Sequence, residues 1–201
     1  MQHYFQKITS FDIDAKMLYD EWFNVAEKHN MFKRTNRYKP IIKGYWHRFY
    51  YNLIINYPDG YTEDIDPVWI TNCTDNQGQV NEGWSIENII KDFKGSYTEK
   101  IAKTVNDYVI TRYKSYKPIT VKYAVLGPNY SIPPHIDKDV TPRFFLTIHA
   151  PKGCYMQMLG EKLTHGMPGH LFRIQQQVEH SPINESDDFR VIMMFDYATK
   201  K

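Results

Sequence analysis

Two histidines and one aspartate in the second half of the chain are of the residue types that hold a metal ion. His135 and Asp137 lie in the segment Pro133-Pro134-His135-Ile136-Asp137, and His180 follows in a later stretch. Two imidazoles and one carboxylate form the ligand set that holds a non-haem Fe(II) on one face, leaving the opposite positions open for an oxidant and a co-substrate. Arg190, ten positions after His180, supplies a fixed positive charge that can clamp an anionic co-substrate.

The spacing of His135 and Asp137 suits chelation by one strand end. Residues two apart on a strand project from the same face, and the preceding prolines bias the chain to extended geometry. His180 stands just before Ser181-Pro182 and after a strand-like run, so it too is expected at a strand end. Alone, a His-x-Asp pair is more often a turn or a surface pair, and a lone histidine is more often solvated. In an antiparallel barrel, residues 135–137 and His180 can come from neighbouring strands at one rim, where they would form one metal site.

The length and composition predict an ordinary globular protein. The 201 residues favour a single domain, 1–201, and 42% hydrophobic with 24% charged residues exclude a disordered chain. A formal charge of +2 gives no field that would attract nucleic acid or a membrane surface. Cys73 and Cys154 make no disulfide framework, and no apolar run resembles a secretory signal or a spanning helix. A cytoplasmic location is therefore expected.

The first part of the chain, 1–118, predicts helical and mixed structure. Apolar residues at helical spacing predict an amphipathic helix over about residues 13–29, and an aromatic-rich run predicts a strand over 44–56. Trp84-Ser85 is expected to open a second helix, with Ser85 as its cap. Ser96 and Glu99 form a capping box for a third helix that ends near Tyr108.

From Ile119 the pattern changes to short β-rich runs separated by turn residues. The runs are Thr120–Leu126, Phe144–His149, Cys154–Leu159, His170–Gln175 and Phe189–Phe195. Gly- and Pro-containing segments separate them, and Ser181-Pro182-Ile183-Asn184 is interpreted as one of these turns. Short strands at this spacing predict an antiparallel sandwich or barrel, of which the jelly roll is one case. The fold class is therefore mainly β, with the N-terminal helices packed outside.

Alternation along two of these strands assigns side chains to faces. In the run that ends at Phe195, one face carries Arg190, Ile192 and Met194, and the other carries Val191, Met193 and Phe195. In the run that ends at His149, one face carries Arg143, Phe145, Thr147 and His149. A charged group in an apolar strand is costly unless it is paired. Arg190 is therefore either a strand-end residue that reaches solvent or a planar fork offered to a carboxylate inside the barrel.

Other polar and aromatic residues receive mostly structural interpretations. His149 and His170 are expected to be hydrogen-bonded in strands, His165 to be solvated in a turn, and Cys154 to fill a small buried space. Three residues are candidates for a pocket wall, with core packing favoured for the methionines: Met156, Met158 and Gln175. A substrate lid is one interpretation of an aromatic group: Tyr45, Trp46, Tyr50 and Tyr51.

A concerted set of residues between Ile119 and Tyr197 carries a resemblance to a known family. The set comprises Gly127, Pro133 to Asp137, Arg143, Leu146, Pro151 to Cys154, Gly169, His180, Asn184, Phe189 to Ile192 and Asp196. This stretch resembles the Fe(II)/2-oxoglutarate-dependent oxygenases of the aspartyl/asparaginyl β-hydroxylase family. Residues 1–118 carry no such signal.

The resemblance implies a fold, a chemistry and roles for single residues. The fold is a double-stranded β-helix, the jelly-roll barrel, with its core in 119–197. His135 and His180 become iron ligands, and Arg190 grips the distal carboxylate of 2-oxoglutarate. The resemblance also places Arg143 in the barrel mouth against a carboxylate of substrate or co-substrate, and a surface salt-bridge partner is the alternative interpretation of this residue. The reaction is hydroxylation of an amino acid, free or in a peptide, with molecular oxygen as oxidant and succinate as co-product.

Asp137 departs from part of the family. Animal members lack a carboxylate two residues after the first histidine, whereas bacterial relatives that hydroxylate free amino acids such as proline keep it. Asp137 therefore favours a full facial triad and argues against a halogenase, in which a halide takes that position. Two alternatives stay open: the same chemistry on a nucleobase or other small metabolite, and a non-catalytic jelly roll that binds a metal or ligand. A structural protein without a metal is disfavoured by the combined spacing of these residues.

Overall fold

The computed structural model describes residues 4–34, 50–67, 84–137 and 142–199. The strands of these ranges are β1 (Phe5–Ser10), β2 (Tyr50–Ile54), β3 (Asn56–Pro58), β4 (Trp84–Ile89), β5 (Tyr116–Leu126), β6 (Tyr130–Ser131), β7 (Arg143–His149), β8 (Cys154–Met158), β9 (Glu161–Thr164), β10 (His170–Ile174), β11 (His180–Asn184) and β12 (Arg190–Thr199). The helices are α1 (Ala15–Lys28), α2 (Met31–Arg34) and α3 (Tyr97–Arg112), with a short 3-10 helix at Lys91–Phe93. None of the helices in the described ranges combines the length and the apolar character needed to cross a bilayer.

Two antiparallel sheets form the body of the protein. The larger has the order β1-β10-β7-β12-β5-β2 and the smaller the order β6-β11-β8-β9. The space between them is filled from both sides, since Phe145 and Ile192 of the larger sheet pack with Met156 and Met158 of the smaller one. This arrangement confirms the predicted mainly β, jelly-roll fold. Both edge strands of the larger sheet, β1 and β2, come from the N-terminal part of the chain.

The two faces of the larger sheet alternate as the sequence predicts. Along β12, Val191, Met193 and Phe195 belong to the core beneath the helices. Ile192 and Met194 point instead into the space between the sheets. Period-two alternation therefore separates a helix-covered outer face from an inner face that lines the barrel.

Helix α1 covers the outer face and agrees with the helix predicted over 13–29. Asp14 is its N-cap and accepts a hydrogen bond from the Met17 backbone N–H at 2.9 Å. Its buried stripe is made of Leu18, Trp22, Val25 and Ala26. These residues share one hydrophobic cluster with strand residues of the larger sheet, so the helix packs outside the barrel as expected.

Helix α3 begins where the sequence predicts and ends later. Ser96 is the N-cap and accepts from the Glu99 N–H at 3.2 Å, while the Glu99 carboxylate accepts from the Gly95 N–H at 2.6 Å. The helix runs to Arg112 rather than to Tyr108.

The segment that begins at Trp84 is a strand, which corrects the helix expected there. Trp84 and Ile86 are 3% and 6% exposed and flank the half-buried Ser85, a period of two. Ser85 does not cap a helix; its hydroxyl accepts locally from the Glu87 N–H at 3.1 Å, a bond that competes with helix formation. Antiparallel pairing with β3 makes this segment a strand rather than a helix.

The segment 181–184, expected to be a turn, is the main part of strand β11. This strand lies between β6 and β8. Pro182 has no N–H, but its carbonyl accepts from the Ile132 N–H at 3.1 Å. Strand β9 is not among the strands predicted from the sequence. Of the strand predicted over 44–56, Tyr50–Ile54 forms β2, and residues 44–49 lie outside the described ranges.

Candidate metal centre

Three side chains named from the sequence meet in the structure. His135, Asp137 and His180 each offer one ligand atom, and these atoms lie within 4.8 Å of one another. The Nε2 atom of His135 is 3.6 Å from Asp137 Oδ1, and that of His180 is 3.9 Å from Asp137 Oδ2. Separations of this size allow one cation to contact all three residues.

Main-chain hydrogen bonds hold the two histidines side by side. The His135 N–H donates to the His180 carbonyl at 3.0 Å, and the His180 N–H donates back to the His135 carbonyl at 2.9 Å. The Asp137 N–H donates to the Gln176 carbonyl at 3.1 Å. β-type pairing between two segments that are distant in the chain therefore fixes the positions of the ligands. These are the two segments that the sequence suggests for one rim of the barrel.

The imidazole rings are oriented for metal binding. His135 Nδ1 lies 2.8 Å from the Pro133 carbonyl oxygen, and His180 Nδ1 lies 2.9 Å from that of Val178. A carbonyl can only accept, so each Nδ1 carries the hydrogen and the lone pair of the neutral ring is on Nε2. A ring N–H bonded to a carbonyl is the usual support of a metal-ligating histidine. Burial lowers the pKa of His180, which favours its neutral form. The donor set thus fits Fe(II).

Arg143 joins the metal ligand Asp137 to a second acid. Its Nη1 donates to Asp137 Oδ2 at 2.9 Å. Its Nε donates to Asp196 Oδ1 at 2.5 Å and its Nη2 to Asp196 Oδ2 at 3.3 Å. Burial alone would raise the pKa of Asp196, but the charges of Arg143 and Lys122 outweigh it and lower this pKa to about 2. Contact of Arg143 with a substrate or co-substrate carboxylate stays a prediction.

Arg190 is a buried cation that no acid neutralises within the described ranges. It is 2% exposed and forms no ion pair with a carboxylate of those residues. Its Nη2 lies 3.4 Å from His165 Nδ1, and its buried Nε has no hydrogen-bond partner there. Burial lowers the pKa of Arg190 to about 10. A cation in this state fits the far carboxylate of 2-oxoglutarate, which would supply both the missing charge and an acceptor.

His165 lies inside the barrel, which corrects the expectation of a solvated turn residue. It is 1% exposed, its ring packs against Phe5 and Phe145, and its buried Nε2 has no hydrogen-bond partner among the described residues. Burial and the nearby Arg190 charge lower its pKa well below the usual value. The missed signal is alternation: Leu163 in β9 packs into the inner core, and His165 follows two positions later.

Tyr50 lies near enough to Arg143 and Arg190 to be affected by both charges. It is half-buried on the inner side of β2, and burial raises the pKa of its hydroxyl against the opposing charges of Arg143 and Arg190. Tyr51 points to the outer face, where its ring is 5.4 Å from that of Phe32. Of the four aromatic residues expected as a lid, Tyr50 alone is seen to face the barrel interior. Tyr45 and Trp46 lie outside the described residues.

Two further histidines have structural contacts, as expected. His149 pairs with Asp188 at 2.9 Å and its ring lies 5.2 Å from that of Tyr19 on α1. It does not share the inner face of Phe145, because the β7–β12 pairing shifts register next to it. The His170 Nδ1 accepts from the Met167 N–H at 3.2 Å.

The remaining pocket candidates are core or surface residues. Met156 and Met158 belong to the inner core, so the packing interpretation is confirmed. Gln175 is exposed and does not line the barrel. The Cys154 thiol is buried and donates to Asn184 Oδ1 at 3.1 Å, which agrees with a structural role.

Comparison with two solved structures of one viral protein supports the fold. The viral collagen prolyl hydroxylase vCPH from Paramecium Bursaria Chlorella virus-1, in its 2OG complex, is similar over 98% of this chain and 97% of that chain, with 13% identity and a TM-score of 0.55. A truncated form gives a TM-score of 0.54 at 13% identity over 98% and 90% of the two chains. The plu4264 protein from Photorhabdus luminescens is 14% identical with a TM-score of 0.34; that match spans 39% of this chain and 62% of that one.

Comparison with sequences identifies the family. No curated protein matches the chain. The family model described as aspartyl/asparaginyl beta-hydroxylase matches residues 78–200, which is more than half of the chain. The match begins before Ile119, so the expectation that residues 1–118 carry no family signal is wrong for 78–118. The chain therefore belongs to the aspartyl/asparaginyl β-hydroxylase family of Fe(II)- and 2-oxoglutarate-dependent enzymes.

Proposed function

We propose that the protein hydroxylates an aliphatic carbon of an amino acid, either free or within a peptide. In this proposal His135, Asp137 and His180 hold Fe(II), and Arg190 holds 2-oxoglutarate. The observation that carries it is a pair of features in one barrel: a triad with both Nε2 atoms set for a metal, and a buried arginine without an acid partner in the described ranges.

Each residue of the proposed site has a separate task. When bound, Fe(II) supplies the oxidising chemistry by which one oxygen atom of O2 enters a C–H bond and the other enters succinate as 2-oxoglutarate loses CO2. Asp137 and the two histidines would hold the ion, and a ligand set of this kind would leave positions for the co-substrate and oxygen. Arg190 fixes the far carboxylate of the co-substrate, so that its keto acid end is directed toward the metal.

The barrel interior supports this chemistry by limiting water. Apolar side chains of the inner core, such as Phe145 and Ile192, fill the space between the sheets. A dry interior strengthens the attraction between Arg190 and a carboxylate. It also leaves fewer water molecules to compete at the open coordination positions.

The substrate class rests on the family rather than on a pocket contact. Asp137 is the feature that points to relatives acting on free amino acids, since it completes the triad. The similar viral structure is a collagen prolyl hydroxylase, which adds prolyl peptides to the candidates. Because one fold hosts many substrates, these candidates have to be separated by experiment.

The test is succinate release with Fe(II), ascorbate and 2-oxoglutarate. The panel contains free proline, aspartate and asparagine, peptides with each of these residues, and nucleosides as the alternative class. We expect one member to raise succinate release and to gain the mass of one oxygen atom. Asp137→Ala is the matched inactive control.

Two outcomes would contradict the proposal in different ways. Turnover of a nucleoside but of no amino acid or peptide would replace the substrate class and keep the chemistry. Normal metal binding without succinate release on any member would favour a non-catalytic metal-binding jelly roll.

A further inference from the structure

Asp196 lies beside the proposed metal centre without being one of its ligands. It is 7% exposed, on the inner face of β12, and it is the register partner of Arg143 on β7. We propose that Asp196 is a positioning residue: it fixes Arg143, and Arg143 fixes the Asp137 carboxylate so that Oδ1 faces the metal. This inference rests on the proposed function, which makes Asp137 a ligand.

The division of hydrogen bonds on Arg143 supports this role. Two of its nitrogens, Nε and Nη2, grip both oxygens of Asp196 at 2.5 and 3.3 Å. The third, Nη1, donates to Asp137 Oδ2 at 2.9 Å. The guanidinium is planar, so when Asp196 holds two of its nitrogens, the direction of the third nitrogen is fixed. The bond from Nη1 therefore holds Oδ2 of Asp137 and leaves Oδ1 for the metal.

Asp196 is itself held by other groups. The Thr120 hydroxyl donates to Asp196 Oδ2 at 3.1 Å, and the Lys122 ammonium lies 3.5 Å from the same oxygen. The next residue is anchored as well, since the Tyr197 N–H donates to the Pro142 carbonyl at 2.9 Å. These contacts restrict the carboxylate to one position before any ligand binds.

The charge of Asp196 is as important as its geometry. A buried guanidinium needs a compensating negative charge. If Asp196 were neutral, the attraction of Arg143 would fall on Asp137, a second carboxylate that it contacts. Asp137 would then be held by the arginine in competition with the metal. With Asp196 charged, Arg143 is already compensated and acts on Asp137 as an orienting donor.

The test measures metal affinity directly, without turnover and without 2-oxoglutarate. Anaerobic titration of Fe(II) against a competing chelator, repeated with Mn(II), gives the dissociation constant of each variant. We expect Asp196→Asn to weaken metal binding by about 10- to 100-fold, the usual effect of removing a group that supports a metal ligand. Asp92→Asn is the matched control, because Asp92 is a low-exposure acid paired with Lys28 and His29 away from this site.

A double-mutant cycle separates positioning from a general loss of structure. If Asp196 acts only through Arg143, then Asp196→Asn combined with Arg143→Met should bind metal no more weakly than Arg143→Met alone. Additive losses would overturn the inference. Should Asp196→Asn fail to fold, Thr120→Val and Arg143→Lys test the same chain of contacts. Thr120→Val should weaken metal binding by a few-fold, and Arg143→Lys by more, since an ammonium cannot grip both acids as a fork.

The outcomes also distinguish this inference from the proposed function. Wild-type metal affinity in Asp196→Asn, Thr120→Val and Arg143→Lys would overturn the inference and leave the proposed function standing. If Arg143→Lys keeps the wild-type metal affinity but requires more 2-oxoglutarate for activity, Arg143 would be assigned to co-substrate binding instead. A wild-type protein that binds neither Fe(II) nor Mn(II) would overturn both.

Discussion

Replacing Arg190 by methionine should stabilise the protein while it removes the binding of 2-oxoglutarate. Burial lowers the pKa of Arg190 from 12.5 to about 10. That difference corresponds to roughly 3 kcal/mol of cost for keeping the charge inside the barrel. The pKa is lower in the folded state, so the unfolded chain holds the proton more tightly. The charge therefore opposes folding in full below about pH 10, and the cost falls away as the pH rises from there to 12.5. Methionine has a similar length and carries no such cost.

The expected gain is smaller than the full cost, because Arg190 also has a contact that methionine loses. Its Nη2 lies 3.4 Å from His165 Nδ1, a long hydrogen bond that contributes about 0.5–1.5 kcal/mol. A net stabilisation of about 2 kcal/mol remains. For a chain of this length that raises the midpoint of thermal unfolding by about 4–8 °C.

The same substitution should remove most of the affinity for 2-oxoglutarate. Each hydrogen bond between charged groups contributes about 1.5–3 kcal/mol, so losing the guanidinium should weaken binding by about 100-fold or more. Arg190→Lys keeps the charge but not the fork, and we expect a loss of about 10-fold with little change in stability.

The assay is thermal and urea unfolding with Mn(II), with and without 2-oxoglutarate. Wild type should gain stability when the co-substrate is added, and Arg190→Met should not. Arg173→Met is the control, since Arg173 bonds the Tyr116 hydroxyl at 3.2 Å and should leave co-substrate binding unchanged. If Arg190→Met is less stable than wild type in the absence of 2-oxoglutarate, the cost assigned to the buried charge is wrong.

Three further changes test other parts of the structure. Asp137→Ala should largely abolish iron binding, and undiminished iron in the purified variant, measured by metal analysis, would exclude Asp137 as a ligand. Because the pKa of His165 is lowered by burial and by Arg190, the unfolded chain gains a proton below pH 6.5 that the folded chain does not. Stability should therefore fall by up to about 2 kcal/mol between pH 7.5 and pH 5, and urea unfolding of His165→Gln should lack this part of the slope. Ser96→Ala should cost about 1 kcal/mol of unfolding free energy, because Ser96 caps the Glu99 N–H; no change would show that the cap is dispensable.

The parts that sequence could predict are those set by short-range patterns. The capping residues Ser96 and Glu99 fix the start of α3 by bonds within four residues. The ligands His135 and Asp137 share a side because they are two apart on extended chain. Such signals need no knowledge of what packs against them, which is why they could be recognised in advance.

The parts that sequence missed depend on which strand lies alongside. Trp84 to Ile89 carries helix-compatible residues, but pairing with β3 makes it a strand. Pro182 resembles a turn residue, yet its carbonyl completes a ladder with Ile132. His149 leaves the face of Phe145 through a register shift between β7 and β12. Each of these outcomes is decided by a partner that is distant in the chain.

For Asp196, the sequence pattern predicts one part of its environment and the order of the strands determines the rest. Alternation already places Ile192 and Met194 on the face of Arg190, and two more steps place Asp196 there as well. A buried acid on an inner face needs a partner, so the pattern alone demands a cation near Asp196. The identity of that cation follows from sheet topology, because β12 lies between β5 and β7 and thereby brings both Lys122 and Arg143 to the carboxylate. Sequence can therefore show which inner positions require a partner, while the order of strands determines which residue meets the requirement.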